Sequence, residues 1–181
     1  MNPIVNLQGK VGLITGIANE KSISTGVAEA CAAAGATLII TYQNDKTRAF
    51  IEPVIHRLGV KDVFLLDVTR PETMDAAFAE IEARHGKLDF ALHSMAFAKR
   101  DDLHGRVVDI SADGFALAMD VSTHSFVRLA QKAEPLLEKA GGGALVTMTY
   151  LGSEKVIPNY GVMGLCKAAL EAATRYMAAE L

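Results

Sequence analysis

The chain has 181 residues, 50% of them hydrophobic and 22% charged, which supports one well-buried core, is too short for two ordinary domains, and excludes a disordered tail, a coiled coil or a disulfide-stapled miniprotein. A formal net charge of -3 gives no general attraction for phosphate backbones or anionic lipid, so no nucleic acid and no membrane surface is expected as a partner. With Cys31 and Cys166 in helical segments, no secretory leader and no apolar run near the roughly 20 residues of a spanning helix, a soluble cytoplasmic chain without disulfides is expected.

Short β-branched runs alternate with alanine-rich helical stretches along the whole sequence. The first strand is predicted at 10–15 (KVGLIT) and the first helix at 22–34. A strand at 37–42 (TLIITY) follows, then a helix at 45–58 in which Pro53 should introduce a kink. The third strand, 62–66 (DVFLL), leads to a helix at 70–85. Its start reads as a capping box, with Thr69 as N-cap, Glu72 as reciprocal partner and Pro71 in the first turn. A fourth strand at 88–93 (LDFALH) precedes a long helix at 112–139. The fifth, 144–149 (ALVTMT), precedes a last helix from 159 to 181. Near-continuous apolar strands separated by helices imply a doubly wound parallel α/β sheet, a Rossmann fold of three layers (α/β/α), in a single dinucleotide-binding domain spanning 1–181. Ligands of such sheets sit beyond the carboxyl ends of the strands, where the winding reverses.

The residues after each strand therefore carry the argument. After the first comes TGIANEKSISTG, from Thr15 to Gly26, before a helix. Glycine permits a tight turn and close approach, and the helix amides with their positive dipole end face an anion. The usual G-x-G-x-x-G is absent, because Gly16 and Gly26 are ten positions apart and Ser22 stands between them; plain turn geometry reads equally well here. The second strand ends at Gln43, with neither an acid for a ribose nor a basic pair for a 2'-phosphate, which leans towards NADH over NADPH. Asp67 and Val68 follow the third strand, and Ser94 with Met95 the fourth. A helix cap for Asp67 and a buried turn for Ser94 are the alternative readings. After the fifth strand, residues 150–167 read YLGSEKVIPNYGVMGLCK. Tyr160 and Lys167, seven positions apart, project from nearly the same helical face. A phenol beside an ammonium suits the handling of an enolate, since the cation favours an ionised or strongly hydrogen-bonding phenol.

These segments together resemble the enoyl-[acyl-carrier-protein] reductases of bacterial type II fatty acid synthesis, a divergent branch of the short-chain dehydrogenase/reductase superfamily. The resemblance rests on Gly16 with Ser22 and Ile23, the run from Thr41 to Lys46, Asp67 with Val68, the run from His93 to Ala98, and above all residues 150–167. Ordinary superfamily members carry Y-x-x-x-K, and here Met163 takes that lysine's place, which disfavours a ketoreductase.

The resemblance implies that Gly16, Ser22, Ile23, Gln43, Asp67, Val68, Met95 and Lys167 hold NADH. Ala98 would line the acyl pocket, Tyr160 would be the active-site phenol, and Tyr150 would lie beside it against the substrate. Tyr150, Tyr160 and Lys167 form the expected catalytic set. The implied reaction moves hydride to the β-carbon of a trans-2-enoyl thioester on acyl carrier protein. The helices around 112–139 and 159–181 would pair with their copies in a homotetramer.

Family members continue with two further strands, so a chain ending at Leu181 in a helical pattern is expected to lack them and to leave one sheet edge bare. A non-catalytic nucleotide-binding fragment and a reductase of another enoyl or carbonyl substrate are the competing functions. His56, His85, His93, His104 and His124 show no ligand spacing, and no metal site is expected. Cys166 reads as a small buried hydrophobe whose pKa its neighbour Lys167 could lower.

Overall fold

Five short parallel strands organise the chain in a computed structural model that describes residues 5–181. They are β1 (Val11–Ile14), β2 (Thr37–Tyr42), β3 (Asp62–Leu65), β4 (Phe90–His93) and β5 (Ala144–Thr147), in the order β3-β2-β1-β4-β5. The pairs Ile14 with Ile40, Ile14 with Leu92, Tyr42 with Leu65 and His93 with Thr147 bring the carboxyl ends of neighbouring strands level. The chain enters at the centre, winds outward through β2 and β3, and returns to the other side of β1 as β4. This is the Rossmann-like parallel α/β sheet that the periodicity predicts, with its reversal between β1 and β4.

Position in the sheet decides burial. Leu13 and Ile14 in β1, and Ile39 and Ile40 in β2, are completely buried, which is why these runs carry no polar alternation. The outer strands are equally apolar in sequence but only partly covered. Every residue of β3 is half-buried, and Val146 in β5 is 48% exposed.

The helices are α1 (Ile23–Ala33), α2 (Asp45–Leu58), α3 (Pro71–His85), α4 (Arg100–His104), α5 (Ala112–Met119), α6 (Ser125–Lys139) and α7 (Gly161–Glu180). In α2 the Asn44 side chain accepts from Thr47 N at the start and Gly59 ends the helix in the left-handed conformation at φ 63°, both ordinary termini; α2 continues past Pro53. The predicted capping box of α3 does not form. Pro71 takes the first helical position, Arg70 becomes the N-cap, and Glu72 instead meets Arg70 Nε at 3.0 Å. The third helical position is then Thr73, whose hydroxyl accepts from Asp67 N at 2.9 Å and donates to Arg70 O at 2.7 Å. No side chain caps α3; the Thr73 hydroxyl instead ties the start of the helix back to Asp67, just after the preceding strand.

The predicted helix at 112–139 is three pieces: α5, a π-helical turn (Asp120–His124) and α6. Only Val121 is apolar in the π turn, and a single polar turn between two amphipathic stretches reads as the solvent face of a continuing helix; the Ser125 hydroxyl donates back to Val121 O at 2.7 Å. Helix α4, five residues long, is too short to show a period.

The chain forms two compact units: Met1–Ser94 with Gln131–Thr147, and Met95–Ala130 with Met148–Leu181. The first holds the whole sheet. At its base the buried Asp89 carboxylate loses solvation but accepts from Lys10 Nζ (2.8 Å) and Val11 N (2.9 Å) and pairs with Lys87 (2.9 Å), which together hold its pKa at about 2. The second unit is helical, around Ala118, Val162, Met163 and Cys166, with Ala98, Leu103 and Ile110 packed on them. Within it Asp102 accepts from both Ser111 N and Ser111 Oγ, which ties α4 to the start of α5. Among the described residues no helix is long and apolar enough to cross a membrane, and no cluster of three or more His, Cys, Asp or Glu side chains could hold a metal ion.

Candidate active site

In the first unit the loop after β1 is built by its own hydroxyls. Gly16 has φ +78°, and a Cβ there would lie 1.9 Å from Ser94 O, so only glycine permits this approach of the loop to the end of β4. Ser24 Oγ donates to Gly16 O at 3.1 Å, and Thr25 Oγ1 donates to Asn19 O at 2.8 Å. Ser22 is the N-cap of α1, yet its hydroxyl accepts from Ala18 N and Asn19 N, both at 3.1 Å, and no side chain caps the helix. Ser22 therefore shapes the loop; Thr25 N bonds Ser22 O at 2.9 Å, and no side chain caps the amides of Ile23 and Ser24 ahead of it, an end that suits an anion. Ile23, at the first helical position, is 67% exposed.

The other residues expected to hold a dinucleotide in this unit follow β2 and β3. Gln43 is exposed at the end of β2. Asp67 accepts from Thr69 N (3.0 Å) and Thr69 Oγ1 (2.8 Å), so it makes a local turn while remaining only half-buried, and Val68 is buried. Ser94 N donates to Thr15 Oγ1 at 3.4 Å, a bond that keeps the ends of β1 and β4 together.

The second unit holds the remaining site residues. Tyr160 stands at the N-cap of α7, one position before the helix, with Tyr150 edge-on to its ring at a centroid distance of 4.9 Å and an interplanar angle of 67°. The 3-10 turn Leu151–Ser153 brings Gly152 against Tyr160: a Cβ on Gly152 would sit 2.5 Å from the ring. Lys167, two turns along α7, is 6% exposed and donates to Met148 O at 2.6 Å. Burial lowers its pKa.

Burial, and then the neighbouring Tyr150 and Cys166, raise the pKa of Tyr160. Of the two expected states, ionised or strongly hydrogen-bonding, burial favours the neutral, donating phenol. The Cys166 thiol is likewise pushed up to about 11, because desolvation outweighs the effect of Lys167, so the adjacent cation does not activate it. Met95 is half-buried. Ala98 is half-buried against the Ala118, Val162, Met163 and Cys166 cluster.

Spacing alone missed the polar groups that fix these elements. Within the π turn, Thr123 Oγ1 donates to Cys166 O at 2.9 Å, and Ser122 Oγ accepts from Phe97 N at 3.0 Å. The one available signal was the polar run from Ser122 to Ser125 in the middle of the predicted helix. An open depression of about 290 Å³ beside this machinery is lined by Val107, Gly152, Ile157, Tyr160, Gly164 and Leu165, among others.

The first unit fits a dinucleotide on its own evidence: a glycine with no room for a Cβ, an uncapped helix start and an exposed amide side chain at the end of β2. A family model described as Enoyl-(Acyl carrier protein) reductase matches residues 16–181. The chain is 45% identical over 175 residues to enoyl-[acyl-carrier-protein] reductase [NADH] 1 of Rhizobium meliloti, covering 97% of this chain and 64% of that protein. It is 46% identical to the NADH enoyl-[acyl-carrier-protein] reductase of Rickettsia bellii, covering 97% of this chain and 66% of that one. The chain therefore spans about two thirds of the length of these relatives. Among solved structures, the Anaplasma phagocytophilum enoyl-(acyl-carrier-protein) reductase in complex with NAD superposes with a TM-score of 0.94 at 42% identity, over 98% of this chain and 67% of that one.

Proposed function

The chain belongs to the enoyl-(acyl carrier protein) reductase family, and from that premise we propose that it is an NADH-dependent reductase of trans-2-enoyl thioesters carried on acyl carrier protein, in fatty acid synthesis. The observation that carries the reading is the edge-to-face pair of Tyr150 and Tyr160 at the mouth of α7, with Lys167 buried two turns behind. The reduced dinucleotide, when bound, supplies the hydride that the β-carbon of the enoyl group accepts.

Everything else falls to the protein. Gly16, Ser22, Ile23, Gln43, Asp67, Val68, Met95 and Lys167 would hold the dinucleotide, Lys167 through the hydroxyls of its nicotinamide ribose. Tyr160 donates a hydrogen bond to the thioester oxygen as it gains negative charge. Its raised pKa suits that role, because a neutral phenol stabilises an enolate that a phenolate would repel. Tyr150 lies against the substrate and Ala98 lines the acyl pocket. Protonation at the α-carbon completes the reduction.

NADH is favoured over NADPH because neither Lys nor Arg stands at the position of Gln43, where a 2'-phosphate would need one. The relatives from Rhizobium and Rickettsia are both named for NADH. Residues 1–181 are proposed to act as one dinucleotide-binding domain, in the cytoplasm, as a homotetramer. The exposure of Leu165 (43%) and Tyr176 (72%) on α7 supports pairing of that helix with a copy.

Consumption of NADH in the presence of a crotonyl or longer enoyl thioester tests the reading. Saturable turnover is expected. Dinucleotide binding without turnover of any enoyl thioester would replace it with a nucleotide-binding role.

A further inference from the structure

The segment between β5 and α7 leaves the sheet at Thr147 and carries Tyr150. Its 3-10 turn is closed by Ser153 N donating to Tyr150 O at 3.0 Å and Lys155 N donating to Leu151 O at 3.0 Å. Three positions on one face of α7, spaced by three and then four residues, hold this segment. At Gly164 a Cβ would lie 2.8 Å from Gly152 O, so the backbone of the turn rests on the helix. At Lys167 the ammonium grips Met148 O. The third position is Glu171. Its carboxylate accepts from Thr149 Oγ1 at 2.5 Å and from the Ser153 side chain. Close packing accounts for Gly164, and the cofactor role proposed above for Lys167; neither accounts for Glu171.

We propose that Glu171 is a positioning residue for Tyr150: by bonding the hydroxyls of Thr149 and Ser153, which flank the tyrosine, it holds the segment that presents the Tyr150 ring edge-on to Tyr160. A single carboxylate with two accepting oxygens suits the task, because it bonds one hydroxyl before and one after the aromatic residue without touching the ring. The two hydroxyl bonds lower the pKa of Glu171, so it is ionised at neutral pH and offers acceptors only. Arg175, one turn further, adds a favourable charge. The functional part of this inference rests on the reductase reading, since it assigns Tyr150 to the substrate.

The test combines kinetics with hydrogen exchange. In the active reductase, Glu171→Ala should lower kcat about fivefold, the scale of one partly exposed hydrogen bond, with KM for NADH within about twofold. Thr149→Val should act in the same direction, and Glu171→Gln should restore part of the rate because its one amide oxygen still accepts. In a Tyr150→Ala background Glu171→Ala should add nothing. Independent, multiplying losses, or a change confined to KM for NADH, would overturn the positioning role. Amide exchange of Ser153, Glu154 and Lys155 should quicken by about tenfold in Glu171→Ala while β1 stays protected. Unchanged exchange there overturns the clamp whether or not the protein reduces enoyl thioesters. Absence of turnover in the unmodified protein removes the reductase reading instead and leaves the exchange result to decide the clamp.

Discussion

The connection after β1 and the connection after β5 both carry the chain from a strand to a helix, and they are held by opposite means. The first is a loop tied to itself: Ser22, Ser24 and Thr25 bond backbone atoms no more than eight residues away, and its one obligatory residue, Gly16, is defined by the absence of a side chain. The second is held by a helix that the chain reaches later, through Lys167, 19 residues from Met148, and Glu171, 22 residues from Thr149. A site for a phosphate needs only backbone amides in the right conformation. A site that handles an oxygen gaining charge needs named side chains with tuned acidity. Both connections contain glycines with no room for a Cβ, but only the second relies on charged side chains supplied by a later helix.

The largest effect should come from Gly16→Ala. A Cβ 1.9 Å from a backbone oxygen, on a residue with φ +78°, costs about 3 kcal/mol or more unless the loop moves. We expect a lower denaturation midpoint together with roughly a 100-fold loss of NADH affinity, read by titration. An alanine variant that binds normally would break the claim that the loop depends on this glycine.

Next come two substitutions that should separate rate from binding within the second region. Tyr160→Phe removes the donor and should lower kcat by about 100-fold or more with NADH affinity unchanged. Lys167→Ala should weaken NADH by about tenfold or more; unchanged affinity would withdraw Lys167 from the cofactor. Steady-state kinetics with parallel binding measurements distinguish the two.

The units should also respond to opposite ends of the pH scale. Asp89 has a folded pKa of about 2 against an ordinary 3.8. It therefore contributes about 2 kcal/mol of stability above pH 4, lost as pH falls through 2. Cys166 is raised from 9.0 to about 11. The unfolded thiol ionises first, so the stability this thiol contributes is intact below pH 9 and falls by about 2 kcal/mol as pH rises to 11. Urea unfolding across pH should show Asp89→Asn flattening the acid limb and Cys166→Ala flattening the alkaline limb. The smallest effect expected is that of Thr123→Val, which removes one buried hydroxyl bond to Cys166 O and should cost about 1 kcal/mol in the same assay.

Legibility in the sequence followed the range of the interactions. Strand order was readable throughout, because alternation of β-branched runs and alanine-rich stretches is a local signal, and the central β1 and β2 are buried as their composition implies. The start of α3 was misread by one residue, since Pro71 moves the cap to Arg70 and the third helical position to Thr73. The π turn was missed because one polar turn between two amphipathic stretches reads as the solvent face of a continuing helix. In the site, Gly16, Tyr160 and Lys167 stood out through residue type and spacing. Ser122, Thr123 and Glu171 did not, as their partners lie 18 to 43 residues away.

By itself, then, the sequence determined the parallel α/β sheet, the strand ends to inspect and the Tyr–Lys pair, because each depends on periodicity or spacing within about two helical turns. Only the tertiary structure decided that burial raises the Tyr160 phenol, that Lys167 bonds Met148 O, that the Cys166 thiol is pushed up despite the adjacent cation, and that a carboxylate on α7 bonds the segment carrying Tyr150. Acidity and orientation come from what surrounds a group after folding, and residues far along the chain supply those surroundings.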